Sequence, residues 1–334
     1  MGVVDSTSGF LLRCLLGRDW FDALHIRVKG INQVQHQTAP PEVEEVLRRH
    51  PNVFKDDISG YTGPPVQLEL EEGASPKFCK ARPVPLALRS AVADELQQLQ
   101  SQGIIEPVQH SAWATPLVLV GKKSGAIRLC GDYRSKVNAA SKKASYPLPT
   151  TGEVLSNLRG GTVFSTLDLC QAYQQLRVTD ETAAVLTINT MKGLYRVTRL
   201  PFGISAAPAI FQRMMETSLA GIDGISVYLD DILISGATKE QHAERLEQVL
   251  SKLDSTGLKL KKEKCKFAVT EATFLGHRID ASGVHTTADK VQTIMDAPEP
   301  TGKNRAASLS GVARILRPLP REQSYSRISP VQAP

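Results

Sequence analysis

The middle of the chain alternates between helical and strand-like hydrophobic patterns. Leu88, Val92, Leu96 and Leu99 recur every three or four positions, which predicts an amphipathic helix that ends near Gly103. Further helices are predicted over 209–219 and 238–256. Their apolar positions are Ile210, Phe211, Met214 and Met215 in the first, and Ala243, Leu246, Val249, Leu250 and Leu253 in the second. We interpret the methionines as core residues.

Short β-rich runs lie between these helices. The runs PLVLV and AIRLC flank a turn at 122–125 with two lysines, which predicts a hairpin with a basic tip. The segment VFSTLDL is a further strand candidate. The segment ISVYLDDILIS has two apolar runs around Leu229, Asp230 and Asp231. It therefore predicts a second hairpin, with two carboxylates at its tip.

The two ends of the chain are less regular. Residues 10–28 hold an apolar burst that is too short to fold alone, and a polar, proline-containing stretch follows to about Pro65. Within that stretch Val43, Val46 and Leu47 have helical spacing, and SGYTGPPV is typical of a linker. Thr287 is a candidate N-cap for a short helix. Beyond residue 301 the periodicity fades, and we expect disorder.

Composition excludes some classes of protein without choosing among the rest. The 334 residues carry 40 Lys and Arg against 34 Asp and Glu, so the formal charge of +6 permits a nucleic-acid partner. Five cysteines without a CxxC pair argue against a disulfide framework or a zinc knuckle. The sequence has no apolar run of about 18 residues, so we expect no membrane span, and we read no signal peptide.

Two acidic segments are chemically informative. Asp230 and Asp231 lie between apolar runs, and Asp168 ends another one. Carboxylates beside buried strands are costly unless a cation neutralises them, and Mg²⁺ favours one or two carboxylates together with substrate phosphates. Two converging segments would hold two metals, one to activate a primer 3′-hydroxyl and one to steady a triphosphate. Ordinary turn chemistry also explains an Asp-Asp pair, so the tetrapeptide alone leaves both interpretations open.

The order of several sequence blocks carries more weight than any single block. The chain contains, in this order, ARPVPLALRSAVADELQQLQSQGIIEPV, WATPLVLVGKKSGAIRLCGDYRSKVN, FSTLDLCQAYQQL, LPFGISAAPAIFQRMM, YLDD, KEKCKF and FLGHRI. This series, from Arg82 to about Ile279, closely resembles the reverse transcriptase of gypsy-type long-terminal-repeat retrotransposons. The resemblance implies an α+β right-hand polymerase with fingers, palm and a truncated thumb, in which helices back an antiparallel palm sheet.

The resemblance assigns the catalytic acids and the metal ions. Asp168 matches the first family aspartate, and Asp230 and Asp231 match the pair in the Y-x-D-D block. The backbone carbonyl of Leu169 is implied as a further metal ligand. Two Mg²⁺ ions are implied, and Mn²⁺ stays open because oxygen-rich sites accept both. Lys264 in KEKCKF is implied as the general acid that protonates pyrophosphate, although neighbouring lysines leave this assignment open.

The resemblance also implies a nucleotide pocket. Tyr173 matches the aromatic residue under the incoming sugar, where its ring would exclude a 2′-hydroxyl. Arg128 and Lys123, or Lys122, match basic fingers residues that contact the triphosphate, because a basic hairpin can close over its negative charges. The structural alternatives are a core aromatic for Tyr173 and a solvated charged turn for the lysine pair.

Two further blocks complete the implied site. The LPFG block puts Phe202 and Gly203 in the lining of the nucleotide pocket. The FLGHRI block matches the primer grip, which positions the primer terminus with Phe274, Leu275, Gly276 and His277. An ordinary hairpin with a glycine in its turn is compatible with that role.

The resemblance divides the chain into four parts. Residues 1–28 resemble the C-terminal end of a retrotransposon aspartic protease, without its catalytic triad, so we expect no protease activity. Residues 29–75 are expected to be a linker, 76–283 the fingers and palm, and 284–334 a partial thumb and disordered tail.

The function implied is RNA-directed DNA synthesis. Its partners would be an RNA or DNA template with a primer and deoxynucleoside triphosphates, without a membrane. The alternative is a catalytically inactive, truncated retroelement remnant that at most binds nucleic acid. The incomplete thumb supports that alternative, whereas the intact acids oppose it.

Overall fold

The computed structural model describes residues 40–287, except 56, 58–59, 122–126, 135, 144 and 159. The expected protease remnant, the helix after Thr287, the tail, and both Lys122 and Lys123 lie outside the described residues. The α-helices are α1 (Pro41–Arg49), α2 (Arg89–Ser101), α3 (Val137–Ala140), α4 (Thr151–Ser156), α5 (Asp180–Val185), α6 (Ala207–Ser218) and α7 (Lys239–Thr256). No helix in this part of the chain is long and apolar enough to cross a membrane.

The strands form three sheets. They are β1 (Ile105–Val108), β2 (Thr115–Gly121), β3 (Ile127–Gly131), β4 (Val163–Asp168), β5 (Ile188–Thr190), β6 (Gly193–Val197), β7 (Ile225–Tyr228), β8 (Asp231–Gly236), β9 (Lys266–Val269), β10 (Glu271–Phe274), β11 (His277–Asp280) and β12 (Gly283–Thr286). We call the sheet with strand order β7-β8-β4-β9 the palm sheet, β1-β6-β5-β2-β3 the fingers sheet, and β10-β11-β12 the grip sheet.

The palm sheet is antiparallel throughout and is covered on both faces. Side chains alternate between the faces of a strand. Ile232 and Ile234 of β8 therefore join the main core with residues of α7, such as Leu246. Leu233 and Phe164 point the other way, into a smaller core shared with α4 and the grip sheet. The expectation of an antiparallel sheet backed by helices is confirmed.

Helices α7 and α2 end close to the glycines that the sequence predicts as their ends. In α7, the Thr238 side chain accepts a hydrogen bond from the Gln241 amide, and Gly257 ends the helix with φ of 77°. Helix α2 ends two residues before Gly103, which has φ of 65°. In the second predicted hairpin, Leu229 and Asp230 form the tip, because Asp231 already belongs to β8.

The fingers sheet contains the predicted basic hairpin, since β2 and β3 pair antiparallel and bring Val120 opposite Arg128. Most of its other pairs are also antiparallel. Strands β2 and β5 are the exception and run parallel, with Thr115 opposite Ile188. The sheet is therefore not a simple series of hairpins, and this parallel pair depends on contacts that are distant in sequence.

The described residues between 40 and 80 form what we call the strap, which runs over both the palm and the fingers. Helix α1 packs Val43 and Val46 into the main core, and Val53 and Leu68 are also buried there. Isolated β-bridges pair Val66 with Val178, Leu70 with Ser141 and Phe78 with Ala114. The expected linker at 29–75 thus includes a packed segment. Isolated bridges have no hydrophobic period, so pattern analysis has no signal for them.

Candidate active site

The three acids identified from the sequence lie at one end of the palm sheet. Asp168 is the last residue of β4 and Asp231 is the first of β8, and the two are direct antiparallel partners. Asp230 precedes Asp231 in the tip of the β7–β8 hairpin. Directly opposite residues in such a pair face the same side of the sheet, so their like charges repel. The site therefore concentrates negative charge that only a cation can offset.

The pKa values of two of these acids, Asp230 and Asp231, are raised. Burial first, and then the negative charge of Asp168, raises the pKa of Asp230 above its ordinary value. Protein atoms also crowd the carboxyl group of Asp231 at the solvent-facing rim, and its pKa is raised by this partial desolvation and by both neighbouring acids. One carboxylate oxygen of Asp230, Oδ1, is buried and has no hydrogen-bond partner in the described part of the chain.

Lys264 is the cation beside these acids. It ends a 3₁₀ turn, Lys262–Lys264, just before β9. Its Nζ lies 3.0 Å from Oδ1 and 3.1 Å from Oδ2 of Asp168, so the ammonium group spans the carboxylate. The backbone supports the same contact, because the Lys261 amide donates to the Asp168 carbonyl at 2.9 Å. The general-acid role of Lys264 stays a prediction, but its position next to the acids suits that role.

A buried glutamine holds the hairpin tip. Leu229 has φ of 52°, a left-handed conformation that is uncommon for a residue with a side chain. Its amide donates to Oε1 of Gln212 at 2.7 Å, and Nε2 of Gln212 donates to the Val227 carbonyl at 2.9 Å. Gln212 lies on α6 and is completely buried. The sequence analysis missed this residue, because a hydrophobic pattern predicts that a glutamine on a helix lies at the surface.

An aromatic path connects the acids with the fingers sheet. The ring of Tyr173 lies 5.3 Å from those of Phe202 and Phe211, and the Arg128 guanidinium lies 5.0 Å above the Phe202 ring. Burial, followed by the nearby charge of Asp230, raises the pKa of Tyr173 to about 12. Tyr173 thus packs against the main core and also lies beside the acids, so its two interpretations are compatible.

The LPFG loop is held from α3. Asn138 Nδ2 donates to the Gly203 carbonyl at 2.8 Å, and Asn138 Oδ1 accepts from the Ser205 amide at 2.9 Å. Gly203 has φ of 95°, which favours glycine. Asn138 is a second residue that the sequence analysis missed, because nothing in its local sequence distinguishes it.

The predicted primer grip is the β10–β11 hairpin of the grip sheet. Phe274 pairs with His277, and Leu275 and Gly276 form the turn with φ of 49° and 69°. Phe274 is buried in the smaller core. Two residues pack against this core: Leu275, and Tyr228 of the β7–β8 hairpin, which we call the catalytic hairpin. The two hairpins therefore share a core.

The donor chemistry of the site fits a divalent metal ion, although its arrangement is not that of a finished metal site. Among the described residues, no group of three or more His, Cys, Asp or Glu side chains is arranged to hold a metal. Carboxylate oxygens are nevertheless the ligands that Mg²⁺ prefers, and the unpaired Oδ1 of Asp230 lacks a partner that a cation would supply. The Leu169 amide donates to the Asp230 carbonyl at 3.2 Å, which keeps this implied ligand beside the acids.

Comparisons with known proteins agree with these observations. Residues 120–279 match the family described as reverse transcriptase (RNA-dependent DNA polymerase). An uncharacterized protein of Caenorhabditis elegans is 36% identical over 310 residues, which cover 90% of this chain and 24% of that protein. The retrovirus-related Pol polyprotein from transposon opus of Drosophila melanogaster is 28% identical over 314 residues, 91% of this chain and 31% of the polyprotein. The chain thus spans about a quarter to a third of these relatives.

A solved structure shows the same fold. The foamy viral protease-reverse transcriptase in complex with dsDNA has a TM-score of 0.71 at 24% identity, over 82% of this chain and 58% of that chain. The expected α+β right-hand architecture of fingers and palm is confirmed by this likeness and by the sheets described above. The expected truncated thumb falls largely outside the described residues.

Proposed function

We propose that this chain, which belongs to the reverse transcriptases of gypsy-type long-terminal-repeat retrotransposons, is an RNA-directed DNA polymerase. It would add deoxynucleotides to a primer 3′-hydroxyl along an RNA or DNA template. The observation that carries this proposal is the convergence of Asp168, Asp230 and Asp231 at one end of the palm sheet. Residues 76–283 would supply the fingers and palm for this reaction.

The acids would bind two divalent cations, Mg²⁺ or Mn²⁺, with the Leu169 carbonyl as a further ligand. When bound, such ions make a hydroxyl more acidic and stabilise the charge of the leaving pyrophosphate. The raised pKa values of Asp230 and Asp231 support this assignment, because like charges held together are relieved by a cation. Lys264 would donate a proton to the leaving pyrophosphate from its position beside Asp168.

The nucleotide would lie between the fingers and the acids. Arg128 is exposed and is oriented by the Phe202 ring, so its guanidinium is available for the triphosphate. Lys122 and Lys123 would add charge from the tip of the same hairpin. Gly203 and the Phe202 ring would line the pocket, and Tyr173 would lie under the sugar.

The template and primer would bind along the palm. The lysines at 261, 262, 264 and 266 are exposed next to the acids and supply positive charge for phosphate contacts. The grip hairpin, with Phe274, Leu275, Gly276 and His277, would position the primer terminus. The foamy viral protein was solved with dsDNA, which supports a duplex as the partner. The alternative of an inactive remnant is not favoured, because all three acids converge at one site.

Primer extension on an oligo-dT-primed poly(rA) template tests the proposal. We expect the parent chain to incorporate deoxynucleotides with Mg²⁺, and separately with Mn²⁺, because all three proposed metal-binding acids are present. We expect Asp230→Asn to lose at least about a thousandfold in rate, because the variant removes a charge needed to hold cations. Equal extension by parent and variant would show that Asp230 is not catalytic.

Sugar selection gives a second test. Tyr173→Ala should incorporate ribonucleotides at a rate much closer to that of deoxynucleotides, because the ring that excludes a 2′-hydroxyl is gone. The ratio of kcat/KM for the two sugars measures this effect. Phe211→Leu is a suitable control, since it alters the packing under Tyr173 while leaving that ring in place. An unchanged ratio in Tyr173→Ala would remove the proposed steric role.

A further inference from the structure

The register between β9 and β4 shifts by one residue beside the active site. The pairs on either side of the shift are Phe164 with Val269 and Thr166 with Lys266. Two residues of β9, Phe267 and Ala268, therefore lie opposite Ser165 alone, which is the geometry of a β-bulge. Ala268 has φ of 50°, a left-handed conformation that is costly for alanine. Other contacts must hold the bulge in place.

Ser165 supplies the first of these contacts. Its Oγ accepts a hydrogen bond from the Ala268 amide at 2.9 Å, which satisfies a donor that the shifted ladder leaves without a strand partner. The same Oγ shares a hydrogen bond of 2.9 Å with Nε2 of His242. Ser165 and His242 are both completely buried. The bulge is thus connected to an imidazole on α7, below the sheet.

Glycine at position 236 lets His242 reach this position. A Cβ on Gly236, the last residue of β8, would lie 2.6 Å from both the backbone nitrogen and the Cβ of His242. Helix α7 can therefore approach the sheet closely at this point. The other ring nitrogen, Nδ1, is buried and has no partner among the residues that the structure describes. Ser165 is then the polar contact that orients the ring.

We propose that His242 is a positioning residue, which acts through Ser165 and the β9 bulge to hold Lys264 against Asp168. The proposal rests on the proposed polymerase function, in which Lys264 serves the chemical step. Lys264 lies between two backbone contacts, the bond from the Lys261 amide to the Asp168 carbonyl and the pairing of Lys266 with Thr166. The register of β9 sets the second of these contacts and thereby helps to determine where the Lys264 side chain points. A slip of one residue would turn the side chains of a strand to the opposite face.

Amide hydrogen exchange tests the structural half of the proposal without any need for activity. We expect the Ala268 amide to exchange at least about tenfold faster in Ser165→Ala and in His242→Phe than in the parent chain. Ser235→Ala is the matched control. Ser235 is equally buried on the neighbouring strand β8, but its hydroxyl bonds the Gly224 carbonyl instead. We expect no change at Ala268 in this control.

Steady-state kinetics of nucleotide incorporation test the functional half of the proposal. We expect His242→Phe to lower kcat about tenfold or more with little change in the KM for nucleotide, because Lys264 acts in chemistry rather than in binding. We expect His242→Gln to recover most of this loss, because its side-chain amide can still bond Ser165.

The two measurements separate the possible failures. A parent chain without polymerase activity would overturn the proposed function while the exchange experiment still reports on the bulge. Unchanged exchange at Ala268 in both variants would overturn the positioning role. Equal losses of kcat in His242→Phe and His242→Gln, or equally fast exchange in Ser235→Ala, would also overturn it, because general loosening would then explain the effect.

Discussion

The catalytic hairpin and the grip hairpin have similar turns that are held in different ways. Each joins its strands through two residues, and each begins with a leucine in the left-handed region, Leu229 at φ 52° and Leu275 at φ 49°. In the grip turn the second residue is Gly276, which adopts φ of 69° without strain from a side chain. A local bond joins Nδ1 of His277 to the Leu275 carbonyl at 3.1 Å.

The catalytic turn has no glycine at its second position, and its stabilising hydrogen bond comes from a distant residue. Its second residue is Asp230, one of the proposed metal-binding acids, and the turn depends on Gln212, which lies 17 residues away on α6. The comparison indicates that a turn without an acidic residue, such as the grip turn, can be specified by its own residues. A turn that must present a carboxylate is instead held by the surrounding structure. The two turns should therefore respond differently to changes made elsewhere in the molecule.

Acid should weaken the palm sheet more than the grip sheet. Burial, followed by the charge of Arg245, lowers the pKa of His242 from 6.5 to about 4. Between these two pH values His242 is protonated in the unfolded chain but neutral in the folded chain. The free energy of unfolding therefore falls as the pH drops from about 6.5 to about 4. The expected loss is about 3 kcal/mol over that window. Urea unfolding at pH 7, 5 and 4 measures it, with His242→Phe as a control that should lose less.

The grip sheet contains a carboxylate whose hydrogen bonds should persist over the same pH window. Hydrogen bonds from Ser282, and then from His285, hold the pKa of Asp280 well below its ordinary value. Its carboxylate stays charged over the same window, so the β11–β12 turn keeps its bonds. Hydrogen exchange at pH 5 should therefore rise in β4 and β9 before it rises in β11 and β12. Simultaneous loss of protection in both sheets would contradict this difference.

Gln212→Met should damage the catalytic turn and spare the grip turn. The change keeps the approximate volume but leaves the partly buried Leu229 amide and Val227 carbonyl without their Gln212 partner. We expect a loss of about 2 kcal/mol in stability and at least about tenfold in primer extension. Gln241→Met is the control, because Gln241 is exposed and its side chain accepts a hydrogen bond from the nearby Ala237 amide. Similar losses in the two variants would show that the buried bonds do not hold the turn.

Gly276→Ala should affect the grip turn by a smaller amount. A Cβ in the left-handed conformation costs about 1 kcal/mol, which we expect to appear as reduced stability and weaker primer binding with little change in nucleotide KM. Gly121→Ala is the control, because its φ is ordinary and a Cβ there would meet no atom of the described residues within 4 Å. If Gly276→Ala instead altered nucleotide KM alone, the assigned grip role would be wrong.

The sequence predicted the parts of the molecule in which a local pattern repeats. Helix α7 has both its capping residues and its apolar stripe within one short segment, and the β7–β8 hairpin has two apolar runs around its acids. Carboxylates among apolar residues marked the three acids as candidates, and the ordered series of sequence blocks assigned their roles by resemblance. Their residue types, rather than their neighbours in space, carried the signal.

The residues that support the acids could not be predicted in this way. Gln212 and His242 are polar residues on helices, and periodicity alone places such residues at the surface. Their burial depends on partners from other elements, such as Leu229 and Ser165. The β9 bulge and the strap could not be predicted either. A shifted register and isolated bridges leave no hydrophobic period in the sequence.

The strap has a consequence for the order in which the protein is made and folded. The Nζ of Lys259 bonds the Asn52 carbonyl across 207 positions of sequence, and the Leu260 amide donates to the Val53 carbonyl. During synthesis the strap leaves the ribosome before its palm partners, which emerge near the end of the described chain. The strap must therefore wait for nearly the whole palm. Contacts of such long range are typical of slow folding.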